Sequence, residues 1–445
     1  MLKSGKLLGS TSLKLQCDLT EFPAEIFSLA DTLEILDLSG NALSSLPDNL
    51  DKLHKLRILF CSSNQFTHLP EVLGKCQNLS MIGFKSNKIN HISESAIPTQ
   101  ALRWLILTDN ALSKLPNSIG DCQHMQKLML AGNQLKKLPE NLRNCKKIEL
   151  LRISANQLES LPDWLFSLPK LSWLAYAGNP FSDEIETKLI AQQPIAIINW
   201  TDLQLQQQLG EGASGLIYQA QWQVDAFTNK AVAVKMFKAD LTSDGLPRCE
   251  VHATALAGQH PNLLGLEGIV SQHPEGAQGM VMPLMDADLK VLADPPSFES
   301  CSRDVYNSST KFTLESVLNI AHSIASVVSH LHAQGITHGD LYAHNVLTNS
   351  NDDVMLSDFG GASFLPEDNL AQSHHLQGIE SHAFSCLFAE LLTRCDADNN
   401  TTAALWALQA QCAQTNNAKR PLFNVIEDKL NLLKQAHLTQ STTNV

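Results

Sequence analysis

His338-Gly339-Asp340-Leu341-Tyr342-Ala343-His344-Asn345 is followed, 358 − 340 = 18 positions after its aspartate, by Asp358-Phe359-Gly360. Two carboxylates and one amide, carried on turns between short strands, can meet near a single point. Such a set suits a reaction in which a hydroxyl is held in line with a phosphoryl group. The amide and the second carboxylate are oxygen donors for Mg²⁺, while the first carboxylate can orient the attacking oxygen and accept its proton. Either triplet alone is weak, because Asp-Phe-Gly recurs by chance. Together and in this order they are strong.

A centre of this kind needs elements that bring a nucleotide to it. The strand pattern Leu203, Leu205, Leu209 runs into Gly210-Glu211-Gly212-Ala213-Ser214-Gly215, then Leu216, Ile217 and Tyr218. In dinucleotide-binding folds G-x-G-x-x-G opens a helix; here β-forming residues follow directly, which predicts a strand-turn-strand flap over phosphates. Val232-Ala233-Val234-Lys235 then ends an apolar strand on a lysine 20 residues past Gly215. Such a lysine is ordinarily a snorkelling surface residue, but after a glycine flap it can reach the α- and β-phosphates. It needs a carboxylate to hold it. Glu250, in the helical stretch Arg248 to Gly258, is the first choice and Glu267 the fallback; the plain alternative makes Glu250 an exposed helix charge. Leu314 to Ala333 has apolar residues at helical spacing and predicts a helix beneath the Asp340 loop. Asp294 to Lys311, polar and broken by Pro295-Pro296, reads as a loop.

Over residues 209 to 360 this ordered set resembles the protein kinases. The resemblance implies a bilobal α+β kinase-like domain that uses ATP and Mg²⁺. It assigns Asp340 as catalytic base, with Lys235 and Asn345 sharing the catalytic work. Asn345 and Asp358 hold the metal, Lys235 binds phosphate, Glu250 orients Lys235, and Gly210, Gly212 and Gly215 cover the phosphates. Gly279 to Met285 looks like the strand and hinge that seat the adenine, which puts Ile217, Met282 and Met285 beside the nucleotide. His338 props the loop by hydrogen bonding.

Four departures from that pattern stand out. Gly339 replaces the arginine usual before the aspartate, so a phosphorylated loop has no cation to meet at that position. Neither Tyr342 nor His344 is the lysine or arginine that neutralises the transferred phosphoryl. The Ala-Pro-Glu element is missing, and 380 − 358 = 22 residues separate Asp358 from Glu380, which is expected to start the next buried helix, to Thr393. Glu380 also stands where an aspartate is usual, and Arg420 resembles the partner of the missing glutamate. His374-His375 and His382 lack the carboxylate or cysteine spacing of a metal site and read as solvated loop residues.

The first two hundred residues carry a different pattern. Asparagines recur at 41, 64, 87, 110, 133, 156 and 179, each 23 after the last, within L-x-x-L-x-L-x-x-N-x-L. Seven copies at one period identify leucine-rich repeats, an α/β solenoid in which each unit buries its leucines only against its neighbours. The two leucines of L-x-L face the core from a strand, and the asparagine amide can satisfy backbone groups of adjacent turns. Leu13 to Pro23, with Cys17 in place of the asparagine, reads as a worn cap, and Ser182 to Gln193 as a closing helix. The alternate strand positions Ile35, Ile58, Phe60, Met81, Trp104, Ile106, Met129, Leu150 and Trp173 form a stripe too apolar to leave wet. Three readings stand: a protein-binding groove anchored by Phe60, Trp104 and Trp173, packing against the chain's own second domain, or a register in which some of these are core.

The expected domains are a repeat domain over 1–198 and a kinase domain over 199–445. The whole resembles the soluble leucine-rich repeat protein kinases, whose usual activity is serine/threonine phosphorylation. Residues 1–200 hold 20 Lys+Arg against 19 Asp+Glu, while 201–445 hold 12 against 26, so the second half carries about −14 of the net −13. An acidic half repels phosphate backbones and speaks against nucleic-acid binding. Met1 to Leu15 lacks the continuous apolar core of a signal peptide, and there is no apolar run of about 18 residues to span a membrane. Cys76, Cys122 and Cys145 occupy a repeat site filled elsewhere by Leu53 and Leu168, which marks them as packing residues in a reducing, cytoplasmic setting. Two rival functions remain: a small-molecule phosphotransferase, since His-Gly-Asp-x4-Asn is similar to antibiotic and choline kinases, and a weakly active scaffold that keeps nucleotide as a structural ligand.

Overall fold

A computed structural model describes residues 7–192, 194–212, 214–351, 353–397 and 400–443. Packing divides it into two compact units, Met1–Leu171 with Asn179–Phe181, and Ser172–Gly178 with Ser182–Val445.

The first unit is built from β1 (Ser12–Lys14), β2 (Ile35–Asp37), β3 (Ile58–Phe60), β4 (Met81–Gly83), β5 (Trp104–Ile106), β6 (Lys127–Met129) and β7 (Leu150–Arg152). They pair in parallel with every register offset by one repeat, as in Leu36↔Leu59 and Leu105↔Leu128. The middle residue of each strand from β2 to β7 is fully buried. The repeat asparagines bind as their spacing predicts. Asn133 donates to the carbonyls of Leu107 and Leu130, both at 2.9 Å, and accepts from the Leu112 amide at 3.0 Å. At the worn cap, Asn41 compensates for Cys17 by accepting from the amides of both Cys17 and Leu19 at 3.0 Å. Asn133→Ala strands those backbone groups inside the stack, so we expect a loss of ~1–3 kcal/mol, read as faster hydrogen exchange at Leu112 in the full chain. Burial raises the thiols of Cys76 to about 11, Cys122 to about 12 and Cys145 to about 11, so they stay protonated and pack as small apolar groups.

Alternate strand positions share the other face of this sheet, since Trp104 pairs with Lys127 in one row and Phe60 with Gly83 in the next. Ile58, Met81 and Leu150 are buried there, whereas Phe60, Trp104, Ile106 and Met129 are half-buried. Lys127 Nζ lies 4.7 Å over the Trp104 ring, whose N–H donates to Met129 Sδ at 3.4 Å.

The next strand, β8 (Trp173–Ala175), falls in the second unit although its sequence is a repeat strand. Helix α1 (Pro180–Gln192) begins two residues before the expected Ser182, and the expected end at Gln193 lies outside the described residues. The second unit continues through β9 (Ile197–Asn199), β10 (Leu203–Glu211), β11 (Gly215–Gln223), β12 (Asn229–Phe237), α2 (Pro247–Ala257), β13 (Gly268–Ser271) and β14 (Gly279–Pro283). Among the described residues these strands form one sheet in the order β10-β11-β12-β14-β13-β9. α2 begins one residue before the expected Arg248, where Pro247 supplies the first turn's fixed φ, and it stops before Gly258, whose φ of 63° suits glycine.

Past the hinge come β15 (Lys290–Val291), α3 (Leu314–Ala333), β16 (Ile336–Thr337), β17 (Val346–Thr348), β18 (Val354–Leu356), β19 (Ser363–Phe364), α4 (Leu370–Thr393), α5 (Asn400–Cys412) and α6 (Phe423–Thr443). Thr313 caps α3 by accepting from the Ser316 amide, and the helix buries the apolar row that its spacing marks. Two expectations are corrected. His374, His375 and His382 lie within α4 rather than in a loop, and His382 is buried. The buried helix starts at Leu370, not Glu380, because Asn369 caps it by accepting from the Gln372 amide. The segment from Asp358 to the helix is therefore 370 − 358 = 12 residues rather than 22.

Candidate active site

Antiparallel β11 and β12 set Ile217 opposite Lys235. Their approach is tight at Gly215, where a Cβ would sit 2.6 Å from the Met236 carbonyl oxygen. Only glycine fits there. A side chain at Gly210 or Gly212 would meet nothing within 4 Å, so these two leave room beside the flap. Ala213, within the same motif, lies outside the described residues. Ile217 and Met285 are half-buried, while Met282 is buried with Ala233, Phe237, Val251 and Met280.

The lysine that ends the apolar strand is not a surface residue. Lys235 Nζ bonds Glu250 Oε1 from α2 and stands 3.8 Å from Asp358 Oδ1. The two paired residues are 6% and 2% exposed. Burial pulls Lys235 down, but the carboxylates of Asp358 and Glu250 outweigh it and the net shift is upward. Burial pushes the Glu250 carboxyl up to about 7 against the pull of Lys235, and Oε2 of the same carboxyl is buried with no hydrogen-bond partner among the described residues. Glu267, the fallback, pairs with Lys230 at 2.7 Å instead.

The Asp340 loop joins β16 to β17. His338, fully buried, accepts from the Asp340 amide at Nδ1 (3.3 Å), which leaves Nε2–H to donate to the Ser357 carbonyl at 3.0 Å. That imidazole ties the loop to the residue just before Asp358. The Asn345 amide nitrogen donates to the Asp340 carbonyl at 2.9 Å and to Asp340 Oδ2 at 3.0 Å, leaving its oxygen as a donor atom for a cation. Asp358 adopts φ 61°, which a short polar side chain tolerates, and its carboxylate is 45% exposed.

Gly339 has a structural reason. Its φ is 70°, and a Cβ would lie 2.1 Å from the Gly361 carbonyl oxygen. No arginine could occupy that site. Its amide donates to Glu380 Oε1 at 2.8 Å, and Glu380 Oε2 meets His332 Nε2 at 2.6 Å. Arg420, 2% exposed, donates to the carbonyls of Gln414 at 2.7 Å and Gly378 at 3.0 Å. His344 Nδ1 meets Asp304 Oδ1 at 2.7 Å. Burial lowers the His344 pKa, but Asp304, Asp340 and Asp358 outweigh it and the net shift is upward.

Trp173 is corrected as a groove anchor. It is 1% exposed, its ring stacks on Tyr342 at 4.0 Å and 9°, and its N–H donates to the Leu341 carbonyl at 3.0 Å. An indole held on both its face and its edge cannot seat a partner.

Residues 203–389 match the family described as protein tyrosine and serine/threonine kinase, and 32–53 match the leucine-rich repeat. The chain carries leucine-rich repeats and a protein kinase domain. The kinase domain is similar to cell division control protein 2 homolog 3 of Trypanosoma brucei brucei, at 25% identity across 41% of this chain and 60% of that protein. It is also similar to CTD kinase subunit alpha of Schizosaccharomyces pombe, at 28% identity across 35% of this chain and 24% of that one. A probable serine/threonine-protein kinase of Arabidopsis thaliana is 26% identical across 45% of this chain and 26% of its own length. The chain thus spans less than two thirds of the length of each of these relatives. No helix among the described residues is long and apolar enough to cross a membrane.

Within the kinase domain, Lys235, Glu250 and Asp358 come together, as do Asp340 and Asn345 with the His338 prop. Two supports escaped the sequence: Asp304, in a loop with no motif, and β8, which reads as one more repeat strand.

Proposed function

We propose that the chain is an ATP- and Mg²⁺-dependent protein kinase acting on serine or threonine hydroxyls. By sequence its repeat module covers 1–198 and its phosphotransferase 199–445. The convergence of Lys235, Glu250 and Asp358 carries this reading: a buried cation between two carboxylates, one of them half-exposed, with the flap strand Gly215–Gln223 running beside it. The donor set fits the metal, since Asp358 offers an exposed carboxylate and Asn345 an amide oxygen, both hard ligands. Held by Asn345 and Asp358, Mg²⁺ would supply positive charge to offset the charge that builds on the phosphates.

The chain's own groups do the rest. Lys235, fixed by Glu250, holds the α/β-phosphates under Gly210, Gly212 and Gly215, and Ile217, Met282 and Met285 flank the adenine. Asp340 orients the acceptor hydroxyl and takes its proton as that oxygen bonds the γ-phosphorus; the bond to the β-bridging oxygen breaks and ADP leaves. His344, whose pKa the neighbouring carboxylates of Asp304, Asp340 and Asp358 raise against the pull of burial, supplies positive charge in its protonated form where the usual lysine is missing. A phosphosite-mapped autophosphorylation assay tests the proposal, with signal expected from wild type and none from Lys235→Ala. The short segment from Asp358 to α4 favours a second reading, a small-molecule acceptor. Labelled ATP offered with protein substrates, aminoglycosides and choline separates the two.

The repeat face bearing Phe60 and Trp104 is the proposed site for a protein partner, with the half-buried rings as anchors. Trp104→Ala is expected to weaken capture of that partner by about 2 kcal/mol while autophosphorylation persists. Equal capture by the folded variant, measured by calorimetry, would count against the groove. A cytoplasmic setting accords with repeat cysteines held as packing thiols.

A further inference from the structure

The strand β8 has the sequence of a repeat but completes the Asp340 loop. Trp173 stacks on Tyr342, Tyr342 leans on His344 at 4.9 Å, His344 bonds Asp304, and the neighbouring Arg303 guanidinium returns over the Trp173 ring at 5.2 Å. These groups close a ring around residues 341–344. On the other side, the Tyr176 amide donates to Ser363 Oγ at 2.9 Å and its hydroxyl to the Phe364 carbonyl at 2.8 Å. Ser172 Oγ meets His382 Nδ1 of α4 at 2.7 Å.

The segment these contacts hold is the short stretch from Asp358 to α4, whose Ser363-Phe364 strand pairs with Ile336-Thr337 just ahead of the Asp340 loop, so bracing this strand also braces the loop. Ser363 is the one hydroxyl residue between Asp358 and Leu370, and it is fully buried. Phosphorylation has no accessible acceptor there.

We propose that Trp173 and Tyr176 are positioning residues of the phosphotransfer centre: they hold the Asp340 loop and Ser363-Phe364 in working geometry, the task that a long phosphate-ordered segment performs elsewhere. This rests on the kinase reading above. The centre is then incomplete without residues 172–178, and activity needs no prior modification of the segment after Asp358.

The test uses the full chain with Trp173→Ala, Trp173→Phe and Tyr176→Phe, measuring ATP turnover and the KM for ATP. Trp173→Ala should lower kcat by about 10²-fold, the cost of misplacing a reacting group by an ångström, with KM for ATP unchanged. Trp173→Phe keeps a stacking ring and should recover most of that loss, whereas Tyr176→Phe should cost several-fold in kcat. Wild-type kcat in Trp173→Ala, or a loss that matches the drop in folded protein, overturns the proposal. Should Trp173→Ala fail to fold, wild-type kcat in both conservative variants overturns it equally. Failure of the kinase reading looks different: wild type itself turns over no ATP, or Lys235→Ala changes nothing.

Discussion

Replacing Asp340 by asparagine is expected to slow phosphoryl transfer by ~10²–10⁴ while nucleotide affinity stays near wild type. Asparagine keeps the size of the side chain and can still meet the Asn345 amide, which now lies 3.0 Å from Asp340 Oδ2. What it loses is the negative charge that draws the acceptor proton. Lys235, Glu250 and Asp358 are separate from that contact, so the phosphate-binding side is left standing. Single-turnover kinetics beside a calorimetric titration of Mg·ATP separate the two effects. Wild-type turnover in the variant rejects Asp340 as base.

The second large effect is a pH dependence set by Glu250. Its carboxyl, raised to about 7 by burial, is ionised at pH 8 and takes up a proton as the pH falls through 7. The protonated form no longer holds Lys235 as an ion pair. Nucleotide affinity should therefore drop roughly tenfold between pH 8 and pH 6, following the ionised fraction. Fold stability moves the other way. A carboxyl whose folded pKa lies above its unfolded one binds more protons when folded, so this residue's contribution improves as pH falls from about 7 toward the usual carboxylate range. Opposite trends in nucleotide affinity and thermal stability across this window mark Glu250. In Glu250→Gln the affinity should be weak throughout and flat with pH. An acid limb that survives in Glu250→Gln assigns the titration to another group.

Much of this was readable before any coordinates. The 23-residue period named the stack and its asparagine ladder because each repeat solves the same local problem: a strand facing inward, then a turn whose carbonyls and amides need one amide side chain. The flap, the lysine strand and the Asp340 loop were legible for a similar reason. Their chemistry demands particular residue types at fixed offsets along the chain. Even Gly339 was visible as a departure, although its cause was not: a backbone at φ 70° pressed against Gly361, which no residue pattern encodes.

The residue sequence by itself therefore carried the repeat, the kinase signature and Glu250 as first choice for Lys235, with Glu267 left open. Tertiary structure alone decided where α4 begins, which carboxylate holds His344, and what covers Trp173. Periodicity reports which face of its own strand a side chain takes, and Trp173 obeys that period. It cannot report which distant segment covers that face, and here the ring lies against Tyr342, 169 positions away (342 − 173), rather than open to a partner.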